Sequence, residues 1–579
     1  MIRKIVRQML AAQILSALTV SLCMLIDNIM IGRFLGEHAL TAYGLANPVL
    51  LVMGAVGSML STGAQVECSK SLGRGDREET DIAYSTTIAA GGLFSLGFML
   101  LVLFLQAPIA RMLGAKDAML LSDTRSYIAG FILGAPASVG ALVLVPFLQI
   151  AGQSTLLIVA VLGMTIADVA FDLMNVFVFH GGMFGMGLAS ALSYYVAVLI
   201  GIVYFLSKKC VFSFSLKRIQ RKKIRELIKN GAPLLFGMVS SVVMVYAVNH
   251  ILLGASGEAA VAAFSVTSTI MNASNSINIG IGGVALTLSS VLYNEEDRNG
   301  LSEMVCVLAR YCLVLGIAAT ALLMTAARPC VALFIPHAGE SQAMAILGLR
   351  CYSTGITFCC LNSILKSGYQ GTDRVELNEA VSVLDNAILP ILSAFLLSRL
   401  VGLNATWFLY VLSETLTLCL MLGVALRKKG RHGLHPEDVL LLKDGFGVPP
   451  EDFLEVNPSS LEDVVTASRR AEAFCRAGGG SSRLASHLAL CIEEMGSNIV
   501  SHGFTAGKEN HVSIRLLHKG GAWTLRFRDD CMEFDPIRHV SEGIENDSVG
   551  IRLAMRMADE ARYTYSMNLN NLMLILKEP

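Results

Sequence analysis

The sequence predicts an all-α polytopic membrane protein, with twelve transmembrane helices in two pseudo-symmetric six-helix bundles, joined to a C-terminal α/β sandwich. Hydrophobic residues fill 54% of the 579 positions and the mean hydropathy is +0.60, which is too apolar for an ordinary soluble chain. The formal net charge of +0 is unevenly divided, because residues 431–579 hold 16 basic and 22 acidic residues. An apolar, basic part followed by an acidic, polar tail indicates two domains of different class.

Twelve apolar runs are each long enough to cross a bilayer as a helix. They cover residues 10–32, 44–66, 84–107, 126–148, 155–179, 185–207, 231–254, 260–291, 305–327, 345–367, 377–399 and 405–426. Basic residues cluster before the first run, between the second and third, in the connector 208–229 and after the last run. All four clusters lie on one side when the number of spans is even. We therefore expect a multi-pass plasma-membrane protein with both termini in the cytoplasm.

The two halves of the apolar part repeat. Residues 36–43, Gly-Glu-His-Ala-Leu-Thr-Ala-Tyr, align with residues 257–264, Gly-Glu-Ala-Ala-Val-Ala-Ala-Phe, and the same offset pairs 76–77 (Asp-Arg) with 297–298 (Asp-Arg). Six spans per half give both repeats the same membrane orientation. Two such bundles, related by an axis along the membrane normal, enclose a cavity between them and are typical of transporters.

Three carboxylates of the first repeat lie inside predicted spans. Asp27 is in the first run, Asp168 and Asp172 are four residues apart in the fifth, and Asn175 follows close behind. Residues four apart share one helix face, about 6 Å apart along the axis. A charge at such depth costs roughly 2.5–3.5 kcal/mol on insertion scales, so it faces a cavity or a partner. Either these groups only bond across helices, or they carry a proton or hold Na⁺ with amide oxygens; we predict an ion-coupling site.

The residues around Asp27 resemble a known family. Residues 27–36, Asp-Asn-Ile-Met-Ile-Gly-Arg-Phe-Leu-Gly, resemble the first-span signature of the multidrug and toxic compound extrusion (MATE) family, and residues 69–76 and 151–153 resemble further motifs. The resemblance covers residues 1–430. It implies two six-helix lobes and export coupled to H⁺ or Na⁺, with Asp27, Asp168 and Asp172 in the cation site of the N-terminal lobe. The family more often has Asn at position 168, and the added acid favours protons.

The second repeat lacks this group of acids. Val248 stands opposite Asp27, and Asp385 and Glu414 form no counterpart of the triad, so we predict one coupling site, in the first lobe. Basic residues such as Lys366 are expected at span edges, which leaves an acidic interior and favours small cationic amphiphilic substrates. The alternative, a lipid-linked saccharide flippase, would need Lys or Arg inside the cavity to bind a pyrophosphate.

The tail alternates helices and strands. Residues 431–450 read as a linker, and Ser459 and Glu462 have the spacing of a capping box at the start of a helix. We predict a second helix over residues 482–501, strands over 511–517 and 523–528, a helix from Val549 and two further strands. This order predicts an α/β domain.

Polar residues of the tail recur at spacings that suit a nucleotide site. Glu494, Asn498 and His502 are four residues apart in turn and share one face of the second helix. Asp529 follows the second strand, and Gly550 and Arg552 open the next helix. The order of these residues along the chain indicates a nucleotide site more strongly than any single residue does.

In this order they resemble the GHKL (Bergerat-like) ATPase fold, and most closely the anti-sigma-factor serine kinases, over residues 450–579. The resemblance implies ATP and Mg²⁺ as cofactors, with Glu494 as general base, Asn498 as Mg²⁺ ligand and Asp529 as acceptor of the adenine amino group. Amides around Gly550 would meet phosphate at a helix N-terminus. His502 and Arg552 complete the predicted nucleotide site.

Three departures bear on that site, at Cys531, Arg552 and Asn570, where the family has glycine. Glycine at such points permits a close approach of the backbone, so each replacement can narrow the nucleotide site. Arg552 can instead add a phosphate contact. Two interpretations follow for the tail: a domain that binds ATP and phosphorylates a cytoplasmic protein, or a degenerate domain that serves as a docking platform.

The sequence thus predicts five parts: a lobe at 1–207, a basic cytoplasmic connector at 208–230, a second lobe at 231–430, a linker at 431–450 and the ATPase-like domain at 451–579. The leading hypothesis is a cation-coupled antiporter regulated by its tail; the other is a membrane sensor whose tail kinase acts on a cytoplasmic partner. The basic connector suits anionic lipid headgroups, and we expect no nucleic-acid partner.

Overall fold

Two helical lobes and a C-terminal α/β domain make up the computed structural model. It describes residues 2–113, 115, 118–207, 210–335, 339–429, 435–443, 445–504, 510–519, 521–541 and 549–578. We call the end of the lobes that faces the C-terminal domain the tail side, and residues 451–578 the tail domain.

The first lobe is built from seven helices. They are α1 (Ile2–Met30), α2 (Glu37–Gly73), α3 (Arg77–Met112), α4 (Ala118–Ile132), α5 (Ala135–Ile150), α6 (Ser154–Met174) and α7 (Gly182–Phe205). α1 and α6 each end in a π-helical turn, at Ile31–Leu35 and Asn175–Phe179.

The second lobe contains α8 (Arg221–Asn294), α9 (Arg298–Ala332), α10 (Glu340–Gly371), α11 (Val375–Val383), α12 (Leu389–Leu400), α13 (Leu403–Thr406) and α14 (Leu409–Lys429). Within the described residues, ten helical segments are long and apolar enough to cross a membrane, or eleven when α4 and α5, bent by 49°, form one span. α8 supplies two of them, Arg221–Leu252 and Ala263–Asn294. α1, with 29 residues and a length of about 43 Å, is also long enough to cross a membrane but is not among these segments.

The repeat is confirmed in the structure. Asp76 caps the N-terminus of α3 by accepting a hydrogen bond from the Glu79 amide, at 3.0 Å. Asp297 caps α9 in the same way, accepting from the Gly300 amide at 2.7 Å. The paired aspartates therefore begin equivalent helices of the two lobes.

The lobes interlock on the tail side. Glycines of α2 and α8 lie so close to carbonyl oxygens of the facing helix that a side chain there would collide; they are Gly63, Gly73 and Gly231. Gln65 donates to Thr287 Oγ1 across this contact, at 2.5 Å. α1 joins both lobes, because its first residues belong to the core of the second lobe and its last ones to the core of the first.

The connector between the lobes is largely bound to them. α8 already begins at Arg221, inside the segment predicted as a connector. Lys223 is buried and donates to Glu67, at 2.7 Å, while Arg218 pairs with Asp81 at 2.6 Å. Lys223 and Arg218, two of the basic residues expected to suit lipid headgroups, are therefore paired with carboxylates of the protein itself.

The tail domain is a five-stranded antiparallel sheet with helices on one face. Its strands are β1 (Phe453–Val456), β2 (Val512–Lys519), β3 (Ala522–Asp529), β4 (Glu560–Ser566) and β5 (Leu569–Lys577), in the order β1-β2-β3-β5-β4. Its helices are α15 (Leu461–Ala477), α16 (Ser482–Asn498), α17 (Pro536–Ser541) and α18 (Val549–Met557). Trp523, Leu525 and Phe527 alternate along β3 into the core shared with α15 and α16.

The tail domain differs from the prediction in two places. The capping box is formed by Ser460 and Asp463, one residue later than the predicted Ser459 and Glu462, because the chain is still extended at Ser460. β1 was not predicted; it lies in front of α15 and pairs with β2.

The predicted linker is also bound in its described parts. Tyr369 donates to the Val439 carbonyl at 3.1 Å, and Arg298 pairs with Glu437 at 2.9 Å. The segment Pro436–Leu440 is therefore packed on the second lobe rather than free in solution.

Candidate functional site

The three predicted carboxylates of the first lobe meet in the structure. Asp27 of α1 and Asp168 and Asp172 of α6 are 7%, 2% and 0% exposed. The carboxyl groups of Asp27 and Asp168 are within hydrogen-bonding reach, and Asp172 lies beside them. Ser190 of α7 donates to Asp27 Oδ2 at 3.2 Å.

Few hydrogen-bond donors reach this group. In the part of the chain that the structure describes, Asp27 Oδ1 and both carboxylate oxygens of Asp172 have no hydrogen-bond partner. Ionised carboxylates only accept hydrogen bonds, and neighbouring ones repel each other. A proton shared between the acids, or a bound cation, relieves that repulsion, so the arrangement has the chemistry of a cation site.

Asn175, the fourth predicted member of the ion site, makes hydrogen bonds to the turn between α6 and α7. Its Nδ2 donates to the Gly182 carbonyl and its Oδ1 accepts from the Gly181 amide, both at 3.1 Å. Gly185 packs directly against the Asn175 side chain. These contacts fix the turn between α6 and α7, so the structure gives Asn175 a structural role.

The second lobe holds a different charged cluster. Lys366 pairs with Asp385 at 2.5 Å, and Thr417 donates to the other oxygen of Asp385 at 3.0 Å. Asn362 donates to Glu414 at 2.7 Å. Lys366 lies close to the end of α10 at Gly371, as expected of a span-edge residue, but its side chain is only 16% exposed. It is drawn inward by the buried carboxylate that it neutralises.

The tail domain contains a cavity of about 260 Å³ between its sheet and α16. Three predicted nucleotide residues line it, Asn498, His502 and Asp529. Much of the remaining lining is apolar, from side chains such as Phe527 and Leu572. Asp529 and Glu533 supply the carboxylates of the lining. A flat heterocycle with an amino group fits apolar walls that end in a carboxylate, so this cavity suits adenine.

Asp529 is the polar end of the cavity. Its Oδ1 accepts from Asn570 Nδ2 at 2.7 Å and from the Cys531 amide at 3.1 Å. Burial raises the pKa of Asp529 above its ordinary value, although these hydrogen bonds oppose the shift. The carboxylate therefore titrates closer to neutral pH than an exposed one.

Asn570 is a site residue whose function the sequence did not reveal. Its amide also donates to the Met532 carbonyl at 2.9 Å, while its Oδ1 accepts from the Phe534 amide and the Tyr563 hydroxyl, at 3.1 and 2.7 Å. The sequence showed only that Asn stands where the family has glycine. The structure shows that this Asn fixes the wall of the cavity around Asp529.

The predicted phosphate end is described in part. Gly550, at the start of α18, packs directly on the Glu494 carboxylate, so a side chain there would collide. Glu494 and Gly550 are thus brought together, beside the residues that line the cavity. Arg552 is half-buried on α18. Residues 505–509 and 542–548, which flank this end, lie outside the described residues.

Fold and site together define a polytopic membrane protein of two helical lobes, with buried acids in the first and a nucleotide-type cavity in its appended domain. The MatE family model matches residues 12–174, and the model of the histidine kinase-like ATPase domain matches residues 457–576. The chain joins a MATE domain to a histidine kinase-like ATPase domain.

Relatives and solved structures resemble the transporter part. The chain is 24% identical to the multidrug export protein MepA of Staphylococcus saprophyticus, over 74% of this chain and 91% of that protein. It is 23% identical to MepA of Staphylococcus aureus over 73% and 90%. An outward-facing multidrug resistance MATE transporter superposes with a TM-score of 0.69 at 18% identity, covering 75% of this chain and 97% of the other. A transporter from Pyrococcus furiosus gives 0.68 at 18%, covering 74% and 97%.

Proposed function

We propose that the protein exports small, cationic amphiphilic compounds in exchange for protons, and that its tail domain binds ATP. The observation that carries the transport proposal is the convergence of Asp27, Asp168 and Asp172 inside the first lobe with few donors around them. The relatives named as multidrug export proteins support export of such compounds. We place the tail side in the cytoplasm, as the basic loops indicate.

Protons suit the site better than sodium. Asp27 and Asp168 approach each other closely, which one shared proton stabilises. A sodium site would draw on neutral oxygens as well, but the Asn175 oxygen already accepts a hydrogen bond from the Gly181 amide. Protonation reduces the negative charge of the site, and deprotonation restores a charge that attracts a cationic substrate. The site then binds either protons or the substrate, so proton binding drives substrate release and couples the two fluxes.

Dye efflux from proteoliposomes under separate gradients tests the coupling ion. We expect ethidium transport when only a pH gradient is imposed and none when only a sodium gradient is imposed. Transport driven by sodium at constant pH would overturn the assignment of protons. Transport driven by neither gradient would contradict coupled export altogether and favour the sensor interpretation.

ATP binding by the tail is supported by the cavity at Asp529. The cavity walls suit the base, Asp529 would accept from its amino group, and Asn498, which also lines the cavity, would be the Mg²⁺ ligand. Bound Mg²⁺-ATP would supply a phosphoryl group, and Glu494, one turn before Asn498 on α16, would accept the proton of the acceptor hydroxyl. Serine kinase activity toward a cytoplasmic protein is thus the reaction class that the site allows.

Calorimetry of the purified full-length protein tests nucleotide binding. We expect heat of binding with Mg²⁺-ATP, loss of that heat in Asp529→Ala, and no change in Glu472→Ala, a surface acid of α15. Absence of heat at millimolar ATP in the wild-type protein would contradict the proposal and favour a docking domain.

A further inference from the structure

The tail domain turns one face of its sheet toward the lobes. Side chains of β2 and β3 that point away from the core shared with α15 and α16 include Arg515, Arg526 and Arg528. These arginines are only 15%, 21% and 15% exposed, although no helix of the tail domain covers them in the described structure. Glu455 of β1 accepts from Arg515 at 3.1 Å, and the rest of the cover comes from the lobes.

The turn between α8 and α9 of the second lobe provides acidic partners. Arg528 pairs with Glu295, Arg515 with Asp297, and Arg526 lies 3.8 Å from Glu295. Both acids are almost fully buried, at 5% and 1% exposure. Three arginines that face two buried carboxylates form a specific, desolvated contact of a kind that surface ion pairs do not provide.

The same sheet also contacts the first lobe. Arg526 donates to the Gly73 carbonyl at 3.2 Å and Arg562 to the Arg74 carbonyl at 3.0 Å, in the turn between α2 and α3. Farther along, the Met567 amide donates to the Ile150 carbonyl at 2.8 Å. One rigid sheet is therefore fastened to turns of both lobes.

The repeat shows that the docking turns have diverged in charge. Arg74-Gly75 of the first lobe corresponds to Glu295-Glu296 of the second, directly before the paired aspartate caps. Glu296 pairs with Lys519 of β2. The turn that receives the arginines of the sheet is thus acidic, while its counterpart offers backbone carbonyls.

A further anchor holds α1. Lys4 donates to Asp530 at 2.6 Å, directly after the end of β3. α1 is the helix that carries Asp27 and that joins the cores of both lobes on the tail side. The tail domain therefore holds the helix that connects the lobes as well as the lobes themselves.

We propose that the tail domain is a latch that holds the tail-side ends of the two lobes together and must unseat before the transporter opens on that side. Alternating access moves one lobe against the other around the central site. The turns at 73–74 and 295–297 cannot move apart while one sheet is fixed to both. Because the latch acts on transport, it rests on the proposed export function.

A reversible cross-link tests the latch in the full-length protein. A β-carbon on Gly75 would lie 3.3 Å from the Arg562 Cβ, close to the spacing of disulfides, which is about 3.5–4.5 Å. We expect the variant Gly75→Cys/Arg562→Cys to cross-link under oxidation and to lose ethidium efflux by at least tenfold, with recovery on reduction. The single variants control for the native cysteines and for the positive φ at Gly75.

Failure of the latch and failure of export give different results. A cross-linked protein that transports within twofold of its reduced form would overturn the latch, as would a failure to cross-link. If the wild-type protein and both single variants transport no dye, the proposed export function fails instead.

Hydrogen exchange of the full-length protein tests the latch without transport. Arg528→Glu should speed exchange in the packed tail-side ends of α2 and α8 by at least fivefold, and adding Glu295→Arg should restore protection. Arg476→Glu, in a pair confined to α15, should leave those helices unchanged. Faster exchange in the tail domain alone would overturn the proposal, since the lobes would then be closed without it.

Discussion

Removing the Asn570 side chain tests the structure of the nucleotide cavity. Asn570→Ala deletes four hydrogen bonds, to Asp529, Met532, Phe534 and Tyr563, at 2.7 to 3.1 Å. Each contributes about 0.5–1.5 kcal/mol net. Because their partners line a cavity that water can enter, we take the lower part of the sum, a loss of about 2–4 kcal/mol in the opening free energy of β3–β5.

Hydrogen exchange of the β3 and β5 amides in the full-length protein measures this loss. At 1.4 kcal/mol per tenfold, exchange should accelerate about 30- to 700-fold. Asn571→Ala is the matched control, because its main contact is one bond accepted from Arg528, at 2.9 Å. It should accelerate exchange by only about fivefold, as expected for roughly 1 kcal/mol. Equal effects of the two variants would refute the role given to Asn570.

Two further predictions concern charge. Lys366→Met leaves the buried Asp385 without its cation and should destabilise the second lobe by about 3–5 kcal/mol. A denaturation midpoint in detergent equal to that of the wild-type protein would contradict this. The double variant Lys366→Met/Asp385→Leu should recover much of the lost stability. ATP affinity should fall as the pH is lowered through the raised pKa of Asp529, because the ionised carboxylate accepts a stronger hydrogen bond from the adenine amino group than the neutral acid does. Over the same interval the folded tail gains stability, because the folded state binds this proton more tightly than the unfolded state does. Calorimetry over a series of falling pH values that spans the titration of Asp529 checks the first effect, and an affinity that stays constant while Asp529 becomes protonated would refute it.

Much of the architecture follows from local patterns in the sequence. Apolar runs, basic loops and the paired Asp76 and Asp297 predict two similar lobes, and the structure confirms both the spans and the equivalent caps. The strands at Val512–Lys519 and Ala522–Asp529 follow from alternation and are found within about two residues of their predicted ends.

Long-range contacts account for what the sequence did not predict. The pairing of Lys366 with Asp385 was not predicted, because the two residues are distant along the chain and lie on different helices. The hydrogen bonds of Asn175 to the turn at 181–182 also appear only in the folded chain. The pairing of the arginines of β2 and β3 with Glu295 and Asp297 is likewise long-range, and only the folded chain shows it.

The coupling role of Asp27 is the central claim, and proton-driven efflux by Asp27→Asn tests it most directly. The variant keeps the shape and the contact with Ser190 but removes the ionisable group. In proteoliposomes with an imposed pH gradient, we predict at least a tenfold loss of ethidium efflux for Asp27→Asn. Glu414→Gln, at a half-buried acid of the second lobe, should retain transport near the wild-type rate. Wild-type efflux by Asp27→Asn would contradict the assignment of the coupling site to the first lobe.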